Sequence, residues 1–147
     1  MQDVLGQYIG FALNDVTRLM IRNFDRRAQT LGLTRAQWGV LMHLWFRDGL
    51  RQKELADLLE IKPMSLVRLL DRLEKNRWVE RRNDPDDRRA KLVYLVRQDS
   101  PTFARMKEFG AMTQNEALSG LSGDEKEQLF DVLQRMRSNL SRRAASG

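Results

Sequence analysis

Residues 52–91 read QKELADLLEIKPMSLVRLLDRLEKNRWVERRNDPDDRRAK, and this stretch decides the fold that the sequence predicts. Apolar residues recur at helical spacing in 52–59 and again in 63–76, with a short turn between the two segments. Pro63 stands where the second helix would begin, a position at which its missing N–H is not needed. Two amphipathic helices joined by a tight turn are typical of a helix-turn-helix.

The second of these helices is predicted to have one apolar face and one basic face. Its apolar stripe would be buried against the first helix. The opposite face carries Ser65, Arg68, Arg72 and Lys75. A basic outer face fits a recognition helix in the major groove of DNA. The same pattern also fits an ordinary helical hairpin with a solvated charged face, because short helix-turn-helix patterns are often mimicked.

The residues that follow the second helix favour DNA binding over the ordinary hairpin. Residues 78–80 and 92–96 are rich in β-branched and aromatic side chains, and each is predicted to form a strand. The connecting segment 81–91 contains turn residues, with five arginines and lysines against three aspartates. An arginine on a projecting loop suits a narrow minor groove, where the potential is most negative. The stretch therefore predicts a winged helix-turn-helix.

Long apolar helices are predicted on both sides of this winged unit. Residues 3–31 repeat apolar side chains at three- and four-residue steps, beginning with Val4 and Leu5. Other apolar residues lie off this stripe, so more than one helix face is apolar and burial against another subunit is expected. Two further helices are predicted after the strands, one ending near Gly120 and the other reaching the C-terminal tail.

Capping signals mark where three of the flanking helices begin. Thr34 with Gln37 matches a capping box, and so does the segment 122–125. Ser100 is a candidate N-cap, because Pro101 after it suits the first helical position. Each of these signals predicts a helix start without reference to tertiary structure.

We predict a mainly α fold with a small β-hairpin wing, in one domain over 1–147. Dimerisation helices would occupy 1–33 and 101–144, and the DNA-binding region would occupy 34–100. Long apolar helices on both sides of a small central DNA-binding region favour an intertwined homodimer. Two-fold symmetry would then place two recognition helices in successive major grooves, about ten base pairs apart.

Composition restricts the possible partners. The 147-residue chain is about one domain long, and its formal net charge of +6 favours polyanionic partners. Charge alone does not separate nucleic acid from an anionic membrane. No apolar run is long enough to cross a bilayer and no signal peptide is recognised, so no membrane partner is expected and a cytoplasmic location is the default. The absence of cysteine excludes disulfides and thiolate metal sites.

These segments together resemble the MarR family of bacterial transcriptional regulators, particularly its SlyA-like branch. The resemblance covers nearly the whole chain, and its most specific parts are Leu-Thr-Arg-Ala-Gln-Trp at 33–38, Ser-Leu-Val-Arg at 65–68, Leu-Asp-Arg-Leu-Glu at 70–74 and Asp-Arg-Arg at 87–89. It implies a homodimer that binds double-stranded DNA at a pseudo-palindromic operator, with repression as the expected effect. It also implies release by a small aromatic carboxylate or phenolic effector.

The resemblance assigns DNA contacts to the recognition helix. Ser65 and Arg68 would face the major groove. Positions at or near the groove and the sugar-phosphate backbone would be Pro63, Met64, Arg72 and Lys75. The competing interpretation for Arg68 is a surface salt bridge to Asp71 or Glu74.

The resemblance also assigns roles in the wing. In its Asp-x-Arg motif Arg89 would enter the minor groove, and Asp87 would orient basic side chains, with Arg68 as one candidate. Arg88 competes with Arg89 for the tip, and Lys91 is assigned to the same DNA surface. The family usually follows its second wing strand with Leu-Thr and a glycine-containing turn. Residues 95–101 have neither this threonine nor a glycine, so a different junction is expected here.

A ligand site is expected by resemblance alone. Trp38 matches a position of the family's pocket, and Arg18 or Arg22 could bind a carboxylate there. The alternative is that Trp38 belongs to the core and both arginines are solvated. His43 is the sole histidine and is expected to be a hydrogen-bonded core residue. One histidine without cysteine argues against a zinc site, and no cofactor is expected.

Enzymatic chemistry finds no support in the sequence. A nucleophile elbow, a phosphate-binding glycine loop and a paired-histidine motif are all missing. Two non-enzymatic alternatives remain, a helical dimeric adaptor that binds proteins and a non-specific architectural DNA-binding protein. Alanine at Arg68 or Arg89 separates the adaptor from a DNA reader, because only a reader then loses salt-sensitive affinity for DNA.

Overall fold

The computed structural model describes the backbone of residues 7–145 and the side chains of residues 7–142. The first apolar positions of the predicted N-terminal stripe, Val4 and Leu5, lie outside the described residues. The chain divides into two compact units, Met1–Ala111 and Met112–Gly147. The described residues form six α-helices and one small sheet, and the predicted class of a mainly α fold with a β-hairpin wing is confirmed.

The order of elements follows the predicted winged helix-turn-helix with flanking helices. The helices within the described residues are α1 (Ile9–Ala28), α2 (Arg35–Phe46), α3 (Gln52–Leu59), α4 (Pro63–Lys75), α5 (Pro101–Ala117) and α6 (Gly123–Ala145). The strands there are β1 (Leu50–Arg51), β2 (Val79–Asp84) and β3 (Asp87–Leu95). A single 3₁₀ turn, Gln29–Leu31, follows α1. None of the helices in the described part of the chain is long and apolar enough to cross a membrane.

The helix starts lie where the capping signals predicted them. The Thr34 hydroxyl accepts from the Gln37 backbone N–H at 3.2 Å, and the Gln37 side chain accepts from the Thr34 N–H at 3.0 Å. Ser122 and Glu125 form the same reciprocal pair, with distances of 3.0 and 3.1 Å. The Ser100 hydroxyl accepts from the Phe103 N–H at 3.2 Å. These bonds satisfy N–H groups that have no partner within their own helix.

The core of the first unit lies where α2, α3, α4 and the sheet meet. The predicted stripes of α3 and α4 supply its centre, through buried residues that include Leu55, Leu66, Leu70 and Leu73. Phe103 and Met106 of α5 are fully buried in the same cluster. A smaller cluster joins Phe24 and Ala28 of α1 to Phe109. Burial of this apolar surface is the main force that fixes α4 and the sheet together.

The sheet has three antiparallel strands in the order β1-β3-β2. β1 is a strand that the sequence did not predict, because two residues are too short to show a strand pattern. Its first residue, Leu50, is buried and pairs with Val93. Gly49 before it has φ +73°, and a Cβ there would lie 2.9 Å from the Tyr94 ring. Both facts favour glycine at this entry to the sheet.

The wing strands are longer than predicted. β2 and β3 pair in one register from Val79 with Leu95 to Asn83 with Lys91, and an irregularity that skips residues 88–90 of β3 precedes the last pair, Asp84 with Asp87. Only Pro85 and Asp86 form the turn, whereas the sequence predicted a loop over 81–91. The prediction was wrong because it required apolar side chains in a strand. A hairpin that projects from the protein exposes much of both faces, and polar side chains can therefore occupy it.

The second unit contains the end of α5 and the helix α6. Gly120, with φ +84°, lies in the turn between them. On α6 several large apolar side chains are exposed to solvent in the single chain: Leu129, Phe130, Val132 and Leu140. The predicted final helix is present, and one chain leaves much of its apolar surface uncovered.

Candidate nucleic-acid interface

The exposed face of α4 carries the polar and basic residues that the sequence assigned to it. Ser65, Arg68, Arg72 and Lys75 are all exposed, and their spacing of three, four and three residues places them on one side of the helix. Met64 is 65% exposed, and Pro63 occupies the first helical turn. Because Leu66, Leu70 and Leu73 bury the opposite face, these side chains project away from the protein.

Arg81 of β2 is bonded to Asp71 and Glu74, the two carboxylates that the sequence offered as possible salt-bridge partners of Arg68. Its Nη2 donates to Asp71 Oδ1 at 2.6 Å, and its Nε donates to Glu74 Oε2 at 2.9 Å. The Arg81 backbone N–H also donates to Glu74 Oε2, at 3.2 Å. Within the described residues Arg68 takes part in no ion pair. Its guanidinium is therefore available to an external partner.

The charge of Arg81 is stabilised by this arrangement. Burial alone would lower the pKa of Arg81, but the hydrogen bonds to Glu74 and Asp71 outweigh burial, and the pKa lies above its ordinary value. No local pattern indicates this role, because Arg81 belongs to a run of basic residues and its partners lie seven and ten positions earlier. Only the return of β2 alongside α4 brings the three together.

The wing presents two arginines close to its turn. Arg88 and Arg89 are both exposed on β3, directly after Asp87. Asp87 Oδ1 accepts from the Arg89 backbone N–H at 2.9 Å. The sequence suggested that Asp87 could orient Arg68, but among the described residues Asp87 has no bond to it. A short carboxylate reaches the N–H group two residues ahead more easily than a side chain on another element.

Asp84 holds the base of the wing turn, although its sequence context indicates only a turn residue. The Asp84 side chain is 5% exposed, and it pairs with Arg51 Nη2 at 2.9 Å. Its other oxygen accepts from the Asp86 backbone N–H at 2.9 Å. Next to it, Lys91 Nζ donates to Asn83 Oδ1 across the hairpin. Asp84 therefore ties the turn to β1, and no local pattern in the sequence indicates this.

A groove joins the wing to the helix-turn-helix. It is a cavity of about 530 Å³ whose lining includes four residues predicted to bind DNA: Pro63, Asp87, Arg89 and Lys91. Arg51 and Lys53, which the sequence did not single out, line the same groove. The other predicted DNA-binding residues lie outside it, on the outer face of α4 or, for Arg88, on the wing. The lining has four basic side chains and one acidic side chain, that of Asp87, and this excess of positive charge suits an anionic ligand.

The unusual junction after the wing is an ordered turn. Arg97 stacks over the Trp78 ring at 4.4 Å, and its Nη1 donates to the Asn76 carbonyl at 3.4 Å. The Val96 N–H donates to the Trp78 carbonyl at 3.0 Å, and the Ser100 N–H donates to the Arg97 carbonyl at 3.2 Å. Arg97 thus fastens a connection that contains no glycine, and Ser100 then begins α5.

A second cavity, of about 630 Å³, lies among α1, α2, α3 and α4. Trp38, Arg35 and His43 line it together with apolar side chains that include Ile21 and Leu69. Arg18 and Arg22, predicted as carboxylate partners, are exposed on α1 and are not among the lining residues. Arg18 pairs with Asp15 at 2.8 Å.

The polar atoms of Trp38 and His43 already have partners in the protein. The Trp38 Nε1–H donates to Asp25 Oδ1 at 2.8 Å, and its ring packs against Phe24 at 4.5 Å between centroids. His43 Nδ1 lies 2.8 Å from the Gly39 carbonyl, to which it can donate. A ligand in this cavity would therefore meet Trp38 and His43 mainly through their ring surfaces. Among the described residues no group of three possible metal ligands is present.

Comparison with known proteins identifies relatives of this arrangement. A sequence model of the MarR family matches residues 33–91. The solved transcriptional regulator PA3341 is 35% identical, over 92% of this chain and 99% of that chain, with a TM-score of 0.78. The regulator SlyA is 26% identical, over 91% of this chain and 94% of that chain, with a TM-score of 0.71. A MarR variant from E. coli, solved with operator DNA, is 27% identical over 91% of this chain and 98% of that chain, with a TM-score of 0.67.

Proposed function

This chain belongs to the MarR family of transcriptional regulators, and on that premise we propose that it binds a pseudo-palindromic operator as a homodimer and represses transcription. The exposed face of α4 reads the major groove, and a wing arginine enters the minor groove. As a member of this family the protein is a regulator rather than an enzyme. The cytoplasm is the proposed location, because the operator lies on the chromosome.

The observation that carries this proposal is that two basic elements, α4 and the wing, are attached to one apolar core. Arg68 on α4 and Arg89 on β3 are both exposed and take part in no ion pair among the described residues, and α4 and the sheet share buried side chains. A bidentate arginine recognises guanine in the major groove, whereas a projecting arginine suits a narrow minor groove. The E. coli MarR variant that was solved with operator DNA supports the same use of this fold.

The homodimer is proposed from the apolar surface that one chain leaves exposed. On α1 the exposed residues include Phe11, at 59%, together with Ile9, Val16 and Leu19, and the exposed Tyr8 immediately precedes the helix. On α6 they are Leu129, Phe130, Val132 and Leu140. Patches of this kind on a single chain mark interaction surfaces. We therefore assign dimerisation to the segments 1–33 and 101–144, and sedimentation should give twice the mass of one chain.

Arg89→Ala tests the proposed reading mode. A fluorescence anisotropy titration on the operator should show weaker binding and a salt dependence reduced by about one counterion. The matched control is Arg26→Ala, which removes the same charge from an exposed position on α1. If both variants bind equally well, the wing assignment is wrong. Binding that is equal for every DNA sequence would indicate an architectural protein, and no binding to DNA would indicate an adaptor.

We further propose that the 630 Å³ cavity lined by Trp38 takes a small aromatic carboxylate or phenol. Apolar walls with a few polar groups are usual for such ligands. Arg35 is the basic residue in the lining, and Arg18 and Arg22 are the alternatives on α1. Titration calorimetry with benzoate separates them, since alanine at the true partner should weaken binding and alanine at the other two should not. Benzoate binding that survives replacement of Trp38 would place the effector elsewhere.

A further inference from the structure

We propose that Arg81 is a positioning residue that holds the wing against the recognition helix α4, so that both enter their grooves of DNA together. This role rests on the proposed DNA-binding function. Arg81 itself is mostly covered, with 22% of its side chain exposed, and its guanidinium is bound to the two carboxylates of Asp71 and Glu74. It would act through the elements that it joins.

The geometry of α4 explains why Asp71 and Glu74 suit this role. The reading face contains Arg68, Arg72 and Lys75, and at about 100° per residue Asp71 lies at its edge while Glu74 lies further round. The wing strand β2 returns along this side of the helix. Arg81 therefore binds α4 immediately beside the face that is proposed to contact DNA.

Arg81 has no substitute among the described residues. Every side-chain hydrogen bond or ion pair there between α4 and the β2–β3 hairpin comes from Arg81 or from its backbone N–H accepted by Glu74. The neighbouring Arg82 instead pairs with Glu80 at 3.2 Å and stacks over Tyr94 at 4.3 Å. Both of those partners belong to the hairpin. Apolar packing secures the hairpin base and Asp84 ties the wing turn to β1, so among the described residues Arg81 is the polar link between the wing and α4 itself.

Precise placement matters because the two elements read different grooves. A wing that pivots on its base would still allow α4 to bind, but it would bring Arg89 to the minor groove in only part of the ensemble. An ion-paired guanidinium with bonds to two carboxylates restricts this pivot in orientation as well as in distance. Because Arg81 already restricts the position of the wing, DNA binding costs less conformational entropy of the wing.

Electrostatics offers a competing explanation for the same contacts. Arg81 neutralises two carboxylates near the DNA, and its loss would leave them to repel phosphates. Replacement of both carboxylates by amides, as Asp71→Asn with Glu74→Gln, removes the repulsion but also removes the ion pairs of Arg81 with α4. Positioning therefore predicts weak operator binding when these amides are combined with Arg81→Met, whereas simple repulsion predicts recovery.

The test compares Arg81→Met with Arg82→Met, the exposed neighbour whose ion pair and ring contact among the described residues stay within the hairpin. Because the chain contains no cysteine, nitroxide labels at Lys62→Cys and Asp86→Cys attach only to the start of α4 and the wing turn. Pulsed electron paramagnetic resonance of the DNA-free protein gives the distribution of distances between the two labels. Dilution with unlabelled protein restricts the measurement to two labels on the same chain. Arg81→Met should broaden this distribution, and Arg82→Met should leave it narrow. Operator affinity should fall about tenfold for Arg81→Met, with Arg81→Lys recovering part of the loss.

The outcomes are distinct. An unchanged distance distribution in Arg81→Met overturns the positioning role, even if the protein proves to bind no operator at all. A broadened distribution with unchanged operator affinity also overturns it. Recovery of binding by the two amide substitutions would leave charge neutralisation as the explanation. Circular dichroism measures the fraction of Arg81→Met that is unfolded. If the loss of operator affinity is no larger than this fraction explains, Arg81 contributes to stability and not to the position of the wing.

Discussion

Asp84→Ala provides the sharpest test of how the wing is built. The carboxylate accepts from the Asp86 N–H at 2.9 Å and pairs with Arg51 at the same distance. A hydrogen bond to a charged group contributes about 1.5–3 kcal/mol. The ion pair adds less than about 1 kcal/mol, because the Arg51 side chain is 45% exposed and solvent screens it. We therefore expect a loss of about 2–3 kcal/mol in the free energy of unfolding.

Urea denaturation followed by tryptophan fluorescence measures this loss. The protein concentration must be held constant, because the stability of the proposed homodimer would depend on it. Asp86→Ala is the matched control, since that side chain is exposed and the change should stay within about 0.5 kcal/mol. Asp84→Asn keeps the acceptor and loses the charge, so it should fall between the two. If Asp84→Ala and Asp86→Ala prove equally stable, the turn is not held by Asp84 and the reasoning fails.

Three other changes test separate parts of the structure. Arg68→Ala should relax base preference at one operator position by about 1–3 kcal/mol, measured by competition among single-base variants, and an unchanged ranking would contradict its base contact. Phe103→Ala should destabilise the protein by about 3–5 kcal/mol in urea, since the ring is fully buried, and a loss below about 1 kcal/mol would contradict its place in the core. Hydrogen bonds from the backbone and side chain of Ser122 lower the pKa of Glu125, so its contribution is present above pH 4.5 and is lost as the pH falls through the lowered pKa. Glu125→Gln keeps the capping box and should remove that part of the acid sensitivity in thermal unfolding, whereas an identical pH profile would contradict it.

The features that the sequence predicted well depend on neighbouring residues. Thr34 with Gln37 marks a helix start because both partners lie within one turn, and the spacing of Ser65, Arg68 and Arg72 defines a face by helix geometry alone. The family resemblance added a role for the wing motif, which stays a prediction. These features require no knowledge of how distant segments meet.

The features that the sequence missed depend on distant contacts. β1 gains its structure from β3, more than forty residues later, through Leu50 paired with Val93. Arg81 and Asp84 looked like members of a charged loop, because a strand with both faces exposed shows no apolar alternation. Trp38 matched a ligand-pocket position, but its N–H donates to Asp25, thirteen residues earlier on another helix. Only the folded chain shows these pairings.

Selection of fragmented genomic DNA by the purified protein tests the central claim most directly. The best fragment is then titrated across salt concentrations beside random DNA of the same length. The proposed function predicts a pseudo-palindromic site with half-sites about ten base pairs apart, bound with a steep salt dependence and at least about a thousand times more tightly than random DNA. Equal, weak binding to all fragments would contradict it.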